Sequence, residues 1–243
     1  MRRYPGEVWF LPPEAEEGGD SKASRHILLT PCDDSGDVGV FAYASTQRTE
    51  ARFGAAWLRI DPTDSRHLPS GFSKPTYVYP GRLVPAASED FLRMVGRLID
   101  EMPELRRRLQ AALGLGMGTV ARADAAAGSW RGKVVELSAT RRALTGYARA
   151  VVLTDPEYSA QNRYQIIVPL EDPREFEAAP GDLEIQGGEW IRMIDPHLPG
   201  VLLAVADVQS VFHPVDIAGW NGAVVDDASM DLLERALVRL FAL

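Results

Sequence analysis

Four histidines and one cysteine are the side chains of this 243-residue chain that could bind a transition metal. The histidines lie far apart and lack Cys or acidic partners at ligand spacing along a helix, so we expect no zinc site. A single cysteine excludes an intramolecular disulfide and a four-thiolate zinc site, and it is typical of a reducing compartment. We therefore expect a cytoplasmic protein without a metal or other cofactor. The residues are His26, His67, His197, His213 and Cys32.

Two further segments have the composition of ligand-binding loops. Residues 33–37 hold three aspartates, but they lack the other ligand positions and the terminal Glu of a calcium loop, so they indicate a turn. Residues 113–118 alternate Leu or Met with Gly, without the third-glycine spacing of a nucleotide-binding loop. Followed by an Ala-rich stretch, they predict a flexible linker.

The charge of the chain limits its partners. The formal net charge is −8, which excludes a general nucleic-acid coat, because such proteins carry a basic field. Residues 1–118 hold 15 basic against 16 acidic side chains, whereas residues 119–243 hold 11 against 18. If a phosphate backbone is bound, the first half is the better candidate. Arg93, Arg97 and Arg106 to Arg108 could form a basic face for RNA there, although a solvated helix surface is the commoner explanation.

No membrane partner is expected. The chain begins Met1-Arg2-Arg3, but the apolar core of a signal peptide does not follow. No apolar run approaches the roughly 18 residues of a membrane-spanning helix.

The elements that must position any site occur twice in the same order. Residues 4–10 and 130–136 each predict a strand that begins near a glycine. Arginine-led apolar strands follow at residues 25–30 and 149–154, and each forms a predicted β-hairpin with the next apolar strand. Those next strands cover residues 40–45 and 165–170, and later strands are predicted at residues 76–80 and 201–212.

Each half is predicted to close with an amphipathic helix. In the first half Ser88, Glu89 and Asp90 supply a cap and an acidic first turn, and apolar residues recur at helical spacing to Met102 before Pro103 breaks the helix. Residues 104–113 then have no counterpart in the second half, where the closing helix covers residues 229–241. The predicted fold class is α+β, mainly β: two small barrels in tandem, each closed by a C-terminal helix. The boundaries are 1–115, a linker at 116–128, and 129–243.

This order of elements resembles the MazF/PemK toxins, whose SH3-like barrel is shared with CcdB. The matching segments in the first half are Gly6-Glu7-Val8-Trp9, Glu17-Gly18-Gly19, residues 25–31 and Ala44-Ser45-Thr46-Gln47; those in the second half are Arg131-Gly132-Lys133-Val134, residues 149–154, Ile167-Val168-Pro169 and the last helix.

The resemblance implies a metal-independent endoribonuclease that cleaves single-stranded RNA, with the 2′-hydroxyl attacking the adjacent phosphate to leave a cyclic phosphate. It places the catalytic pair at Arg25 and Ser45, and substrate contacts at His26, Thr46 and Gln47. A guanidinium presents two parallel donors to phosphate oxygens and stabilises the charge that builds up during attack. Ser45 would donate a hydrogen bond to a phosphate oxygen. As neighbours on a strand, Arg25 and His26 are expected to point to opposite faces.

The second half departs from the family where chemistry is expected. Arg149 is retained, but the position equivalent to Ser45 is Glu171, beside Asp172, and carboxylates repel a phosphate. We therefore expect a degenerate second barrel that serves as a structural partner. Because these toxins bind RNA across a dimer interface, the fused pair is expected to be a monomer with an internal pseudo-dimer and at most one working site.

Two alternatives remain open. An inactive barrel could act as a protein-binding or regulatory module of a toxin–antitoxin-like system, with a cognate antitoxin as partner. Gyrase poisoning, as in the CcdB relatives, has less support, because it depends on a particular C-terminal segment and this chain ends in plain apolar helix.

Overall fold

The computed structural model describes residues 2–12, 23–32, 38–47, 57–115, 130–154, 164–171, 190–192, 202–204, 207–225 and 227–243. The predicted linker at 116–128 lies outside these residues, so the domain boundaries stay a prediction. No helix in the described ranges has the length and apolar character needed to cross a membrane.

The described residues of the first half form six strands and one α-helix. The strands are β1 (Glu7–Leu11), β2 (Ser24–Leu28), β3 (Val38–Ser45), β4 (Leu58–Ile60), β5 (Thr76–Ala87) and β6 (Arg93–Arg97), and helix α1 covers Met102–Ala112. Short 3₁₀ helices occupy Ser65–Ser70 and Ser88–Asp90.

Seven strands and three helices lie within the described ranges of the second half. The strands are β7 (Lys133–Leu137), β8 (Arg149–Val152), β9 (Tyr164–Glu171), β10 (Trp190–Arg192), β11 (Leu202–Ala204), β12 (Gln209–Phe212) and β13 (Ile217–Val224). The helices are α2 (Ala139–Thr145), α3 (His213–Asp216) and α4 (Asp227–Phe241).

The two halves form sheets with matching strand orders. The first sheet runs β4-β5-β3-β2-β1-β6, and the second runs β10-β11-β9-β8-β7-β13, with β12 also paired to β9. The long strand β5 of the first sheet thus corresponds to β11 and β12 together, since both pair with β9. The architecture is mainly β with few helices, in two curled sheets compatible with two small barrels.

Equivalent hydrogen bonds recur at the start of each sheet. The backbone N–H of Gly6 donates to the carbonyl of Leu28, and that of Gly132 donates to the carbonyl of Val152, both at 2.8 Å. Both glycines have left-handed φ angles, +93° and +77°, which a residue with a Cβ adopts only with strain. These positions explain the glycine that precedes each first strand in the sequence.

The closing helix predicted for residues 88–102 is wrong. The chain there forms a 3₁₀ turn and then strand β6, which pairs antiparallel with β1. Pro103 lies in the first turn of α1 instead of ending a helix, because a proline there sacrifices no helical hydrogen bond. Residues 104–113, which the sequence left without a counterpart, belong to the helix that packs into the core as α4 does.

One hydrophobic core joins the two halves. It includes Val8 and Ile27 from the first sheet, Val134 and Val151 from the second, and buried leucines of both long helices. Those leucines are Leu105 and Leu109 of α1 and Leu233 and Leu237 of α4. Because apolar burial is the main favourable term in folding, the halves stabilise one another.

Candidate functional site

Arg25 lies near the start of β2, directly opposite Phe10 of β1. Its guanidinium carbon is 5.2 Å from the centre of the Phe10 ring and 5.8 Å from that of Phe72. The side chain is half-buried, and its Nε atom is buried without a hydrogen-bond partner in the described ranges. A buried donor without a partner is costly, so this group is ready to accept an anionic ligand.

A second arginine approaches the same ring from the neighbouring strand. Arg93 of β6 is also paired with Phe10, and its guanidinium carbon is 5.3 Å from the ring centre. Residues paired across strands point to the same face, so Arg25 and Arg93 flank Phe10 on one face. Among the described residues neither guanidinium forms an ion pair. Two cations beside one ring create a positive field that attracts phosphate.

Three of the other arginines considered for RNA, Arg97, Arg107 and Arg108, are paired with carboxylates. Glu104 accepts hydrogen bonds from Arg107 at 2.7 Å and from Arg108 at 2.6 Å. The hydrogen bond from Arg107, followed by that from Arg108, lowers the pKa of Glu104 to about 2 against the cost of desolvation. Arg97 contacts Glu7 at 3.2 Å. Most of the basic helix face is therefore neutralised, and Arg93 is the exposed arginine of that set that stays beside Arg25.

Ser45 does not share a face with Arg25. His26 is paired with Tyr43, and side chains alternate along a strand, so residues 26, 43 and 45 lie on one face while Arg25 points to the other. The Ser45 hydroxyl oxygen accepts a hydrogen bond from the backbone N–H of Gln47 at 3.1 Å. The structure thus brings Arg25 and Ser45 to the same end of adjacent strands but not to one pocket.

His26 is fully buried, on the face opposite Arg25 as its position in the strand predicted. Its Nδ1 atom is 3.2 Å from the carbonyl oxygen of Ser24. Burial lowers the pKa of His26 to about 4; the Ser24 hydrogen bond opposes this shift, and the charge of Arg82 adds to it. The imidazole is therefore neutral at pH 7 and is not at the surface. Thr46 and Gln47 are exposed where β3 ends.

The equivalent position in the second half has a different partner. Arg149 lies opposite Glu136 in β7, where Arg25 has Phe10. Strand β9 ends at Glu171 as β3 ends at Ser45, and each strand has eight residues. A carboxylate across from the arginine competes with a phosphate for the guanidinium.

Phe10 and Phe72 are the functional candidates that the sequence did not identify, whereas Arg93 was considered only as part of a basic helix face. Phe10 belongs to a predicted strand, but only the pairing of β1 with β2 in the structure places it opposite Arg25. Phe72 lies in a segment without a predicted element, and Arg93 lies in the segment wrongly predicted to be helical. Residues 91–97 show no alternation of apolar and polar side chains, so no periodicity in this segment predicts strand β6.

A metal site has no support in the described part of the chain, which contains no group of three or more His, Cys, Asp or Glu side chains arranged to hold an ion. The aspartates at 33, 34 and 37 lie outside it.

Comparison with known proteins gives 33 matching chains of solved structures. No protein-family model matches the chain, and no curated protein matches it either. One of the solved structures is described as an endoribonuclease in complex with its cognate antitoxin from a mycobacterial species. It is 18% identical in sequence, the match covers 46% of this chain and 96% of that chain, and the TM-score is 0.33.

Proposed function

We propose that this protein is a toxin-type endoribonuclease of the MazF/PemK kind that cleaves single-stranded RNA without a metal, with Arg25 as the phosphate-binding residue. The observation that carries the proposal is the Arg25 side chain. It is half-buried, its guanidinium lies near the rings of Phe10 and Phe72, its Nε is unpartnered among the described residues, and Arg93 lies near the same Phe10 ring. A guanidinium held in this way is preorganised for a phosphate, because the rings restrict its motion without neutralising its charge.

The proposed reaction is an internal transfer within the RNA. The 2′-hydroxyl oxygen forms a bond to the adjacent phosphorus and loses its proton to solvent, while the bond from phosphorus to the 5′-oxygen breaks and that oxygen takes up a proton. The products are a 2′,3′-cyclic phosphate and a 5′-hydroxyl. Arg25 would stabilise the extra negative charge on the phosphate oxygens in the transition state. Ser45, Thr46 and Gln47 would contact the RNA as it passes round the end of β3.

The experiment compares cleavage of single-stranded RNA in EDTA by the wild type, Arg25→Ala, Arg25→Lys and Ser45→Ala. Arg149→Ala is the matched control, because it removes the equivalent arginine of the second half. We expect Arg25→Ala to lower the rate by about 100-fold or more, as for loss of an oxyanion-stabilising donor, and Arg149→Ala to leave it unchanged. Equal cleavage by the wild type and Arg25→Ala, or no cleavage by either, would overturn the proposal.

Toxicity gives a second readout of the same proposal. Induction of the wild type is expected to arrest growth of a bacterial host, whereas induction of Arg25→Ala to the same level is not. Growth arrest by both forms would show that toxicity does not depend on Arg25.

A second candidate function is an inactive barrel that binds a protein, such as an antitoxin. It is favoured by one observation: the Ser45 hydroxyl lies on the face opposite Arg25 and is engaged with the Gln47 backbone. Absence of cleavage at high protein concentration, together with a stable complex with a defined antitoxin in size-exclusion chromatography, would support this function over the first.

The proposed assembly is a monomer whose two halves replace the two subunits of a dimeric toxin. The shared core of the two halves supports it. Light scattering should give a mass near 26.7 kDa, and a stable homodimer would contradict this assembly.

A further inference from the structure

A cleft of about 830 Å³ lies where the two halves meet, and the proposed reaction does not use it. The end of β5 forms one wall, and helix α2 with the segment 207–212 forms the other. This volume is in the range of pockets that hold small organic ligands. A cleft built from both halves exists only in the folded protein, so a ligand bound there would stabilise the assembly of the halves.

The floor of this cleft is fixed by contacts between the halves. The Ser210 hydroxyl accepts a hydrogen bond from the Leu83 backbone N–H and donates one to the Gly81 carbonyl, both at 2.8 Å. The guanidinium carbon of Arg82 lies 4.1 Å from the centre of the Tyr164 ring. These contacts keep the walls in one arrangement, which reduces the ordering cost of binding.

Four polar side chains converge on one wall. The Tyr147 hydroxyl donates a hydrogen bond to the Asp207 carboxylate, and Arg141 donates one to the side-chain oxygen of Gln209. The amide nitrogen of Gln209 lies 3.4 Å from the backbone oxygen of Asp207. Gln209 therefore contacts both the backbone of Asp207 and the guanidinium of Arg141, which brings an acidic and a basic residue to one wall of the cleft.

The remaining walls are apolar, and the charge of the cleft argues against a bare phosphate. Leu83, Val84 and Pro85 of the first half and Leu144 and Val215 of the second half line the cleft. Three aspartates line it against two arginines, so a free anion would meet net repulsion. A flat ligand with apolar faces and one hydrogen-bonding edge fits these walls.

We propose that the cleft binds a nucleobase with a lactam edge, guanine or uracil, whose ring N–H donates to the Asp207 carboxylate while its ring carbonyl accepts from Arg141. Adenine has no ring carbonyl, and cytosine presents an acceptor where the N–H is needed, so both lack this edge. The base comes either from a free nucleoside or from the RNA strand of the proposed function, and only the second source rests on that function.

The burial of the Asp207 carboxyl group supports a hydrogen bond from a base to this group. Burial raises the pKa of Asp207, while the hydrogen bond from Tyr147 acts in the opposite direction. A buried carboxylate has lost much of its hydration. A ring N–H would replace part of that hydration. A base without this N–H would leave the buried acceptor without a donor, which is the usual basis of strong discrimination between similar ligands.

The test measures binding to the full chain by calorimetry in two arms. In the first arm guanosine, uridine, adenosine and cytidine are titrated separately. In the second arm short oligonucleotides of U or of A are titrated into Arg25→Ala, which removes the arginine proposed for cleavage. Asp207→Asn and Arg141→Met are the test variants, and Asp100→Asn, an exposed aspartate outside the cleft, is the matched control. Circular dichroism confirms that each variant is folded.

We expect guanosine and uridine to bind at least about tenfold more tightly than adenosine and cytidine, equivalent to one good hydrogen bond. Asp207→Asn and Arg141→Met should each remove this preference, and Asp100→Asn should retain it. If U oligonucleotides bind selectively but free nucleosides do not, the proposal holds with RNA as the source. No binding in either arm, equal affinity for all four bases, or an unchanged preference in Asp207→Asn would overturn it. Because neither arm measures cleavage, failure of the ribonuclease proposal would leave this result interpretable.

Discussion

The hydroxyl group of Ser210 is hydrogen-bonded to the backbone N–H of Leu83, 127 residues earlier in the chain and in the other half. The same hydroxyl donates to the carbonyl of Gly81, and all of these atoms are buried. One small side chain therefore satisfies two backbone groups where β5 bulges away from regular pairing with β3. The contact ties β12 to β5 and holds the cleft between the halves.

Ser210→Ala should destabilise the fold by about 2–4 kcal/mol, because it leaves a buried N–H and a buried carbonyl without partners. The measurement is the free energy of unfolding in urea. Ser73→Ala, at an exposed position, should change it by less than about 0.5 kcal/mol. Equal effects of the two substitutions would show that the Ser210 contact contributes nothing.

Thr30 and Thr154 should make equal contributions in the two halves. Each hydroxyl accepts a buried hydrogen bond from the next strand, from the N–H of Val40 at 3.0 Å and of Ile166 at 2.6 Å. Thr30→Val and Thr154→Val keep the side-chain shape and remove the acceptor, so each should cost about 1–3 kcal/mol. The exposed Thr140 provides the control substitution to Val. A large loss at one position and none at the other would contradict the equivalence.

Gly6→Ala should be more damaging than Gly132→Ala. Both positions have left-handed φ angles, which cost an alanine about 1–2 kcal/mol. A Cβ at Gly6 would also lie 2.5 Å from the Leu98 carbonyl oxygen, whereas at Gly132 the nearest atom is 3.7 Å away. The added crowding should cost Gly6→Ala about 1–3 kcal/mol more. Thermal unfolding of the two variants gives the comparison, and similar melting temperatures would refute it.

His26 should make the fold less stable as the pH falls from 6.5 to 4. Because burial lowers its folded pKa to about 4 from 6.5, the unfolded chain binds the proton first and stability rises with pH across that interval. The contribution is about 3 kcal/mol, fully present above pH 6.5. Urea unfolding of the wild type and His26→Gln at several pH values isolates it. The two proteins should differ in slope over this interval, and parallel curves would contradict the prediction.

Asp207→Asn should stabilise the fold at pH 7. Burial raises the folded pKa of Asp207 above 3.8, so keeping the carboxylate ionised in the folded state costs free energy at neutral pH. The asparagine removes this cost, and its oxygen can still accept from Tyr147. The gain should disappear as the pH falls below 3.8, where both states hold the proton. A loss of stability at pH 7, relative to the Asp100→Asn control, would contradict this sign.

The sequence predicted the hairpins, because these depend on signals within a few residues, and the two sheets have matching strand orders. Alternating apolar residues and an arginine at the start identify β2 and β8, and the glycines before β1 and β7 mark backbone that favours glycine. The sequence also predicted that Glu171 occupies the position of Ser45, because the two residues stand at the same point of similar strands. In the structure β3 ends at Ser45 and β9 ends at Glu171.

Helical spacing in residues 91–102 was misleading, because β1 offers a free edge with which residues 93–97 pair as a strand. Leu92 and Ile99, which the helical pattern placed on the buried face, are exposed. The helical propensity of a segment is overridden where a neighbouring strand supplies hydrogen bonds along that segment. The sequence also contained no sign that Phe72 reaches Arg25, since that contact joins residues 47 positions apart.

The sequence by itself determined the period-2 strands, the glycine turns and the arginine that begins a strand in each half. Each of these depends on side-chain volume and backbone freedom within a few residues. Only the tertiary structure decided which face each strand presents to the core. That choice separates Arg25 from Ser45, places Arg93 beside Phe10 and builds the cleft around Asp207. It could not be inferred locally, because strand register is set by the joint burial of apolar groups from distant parts of the chain.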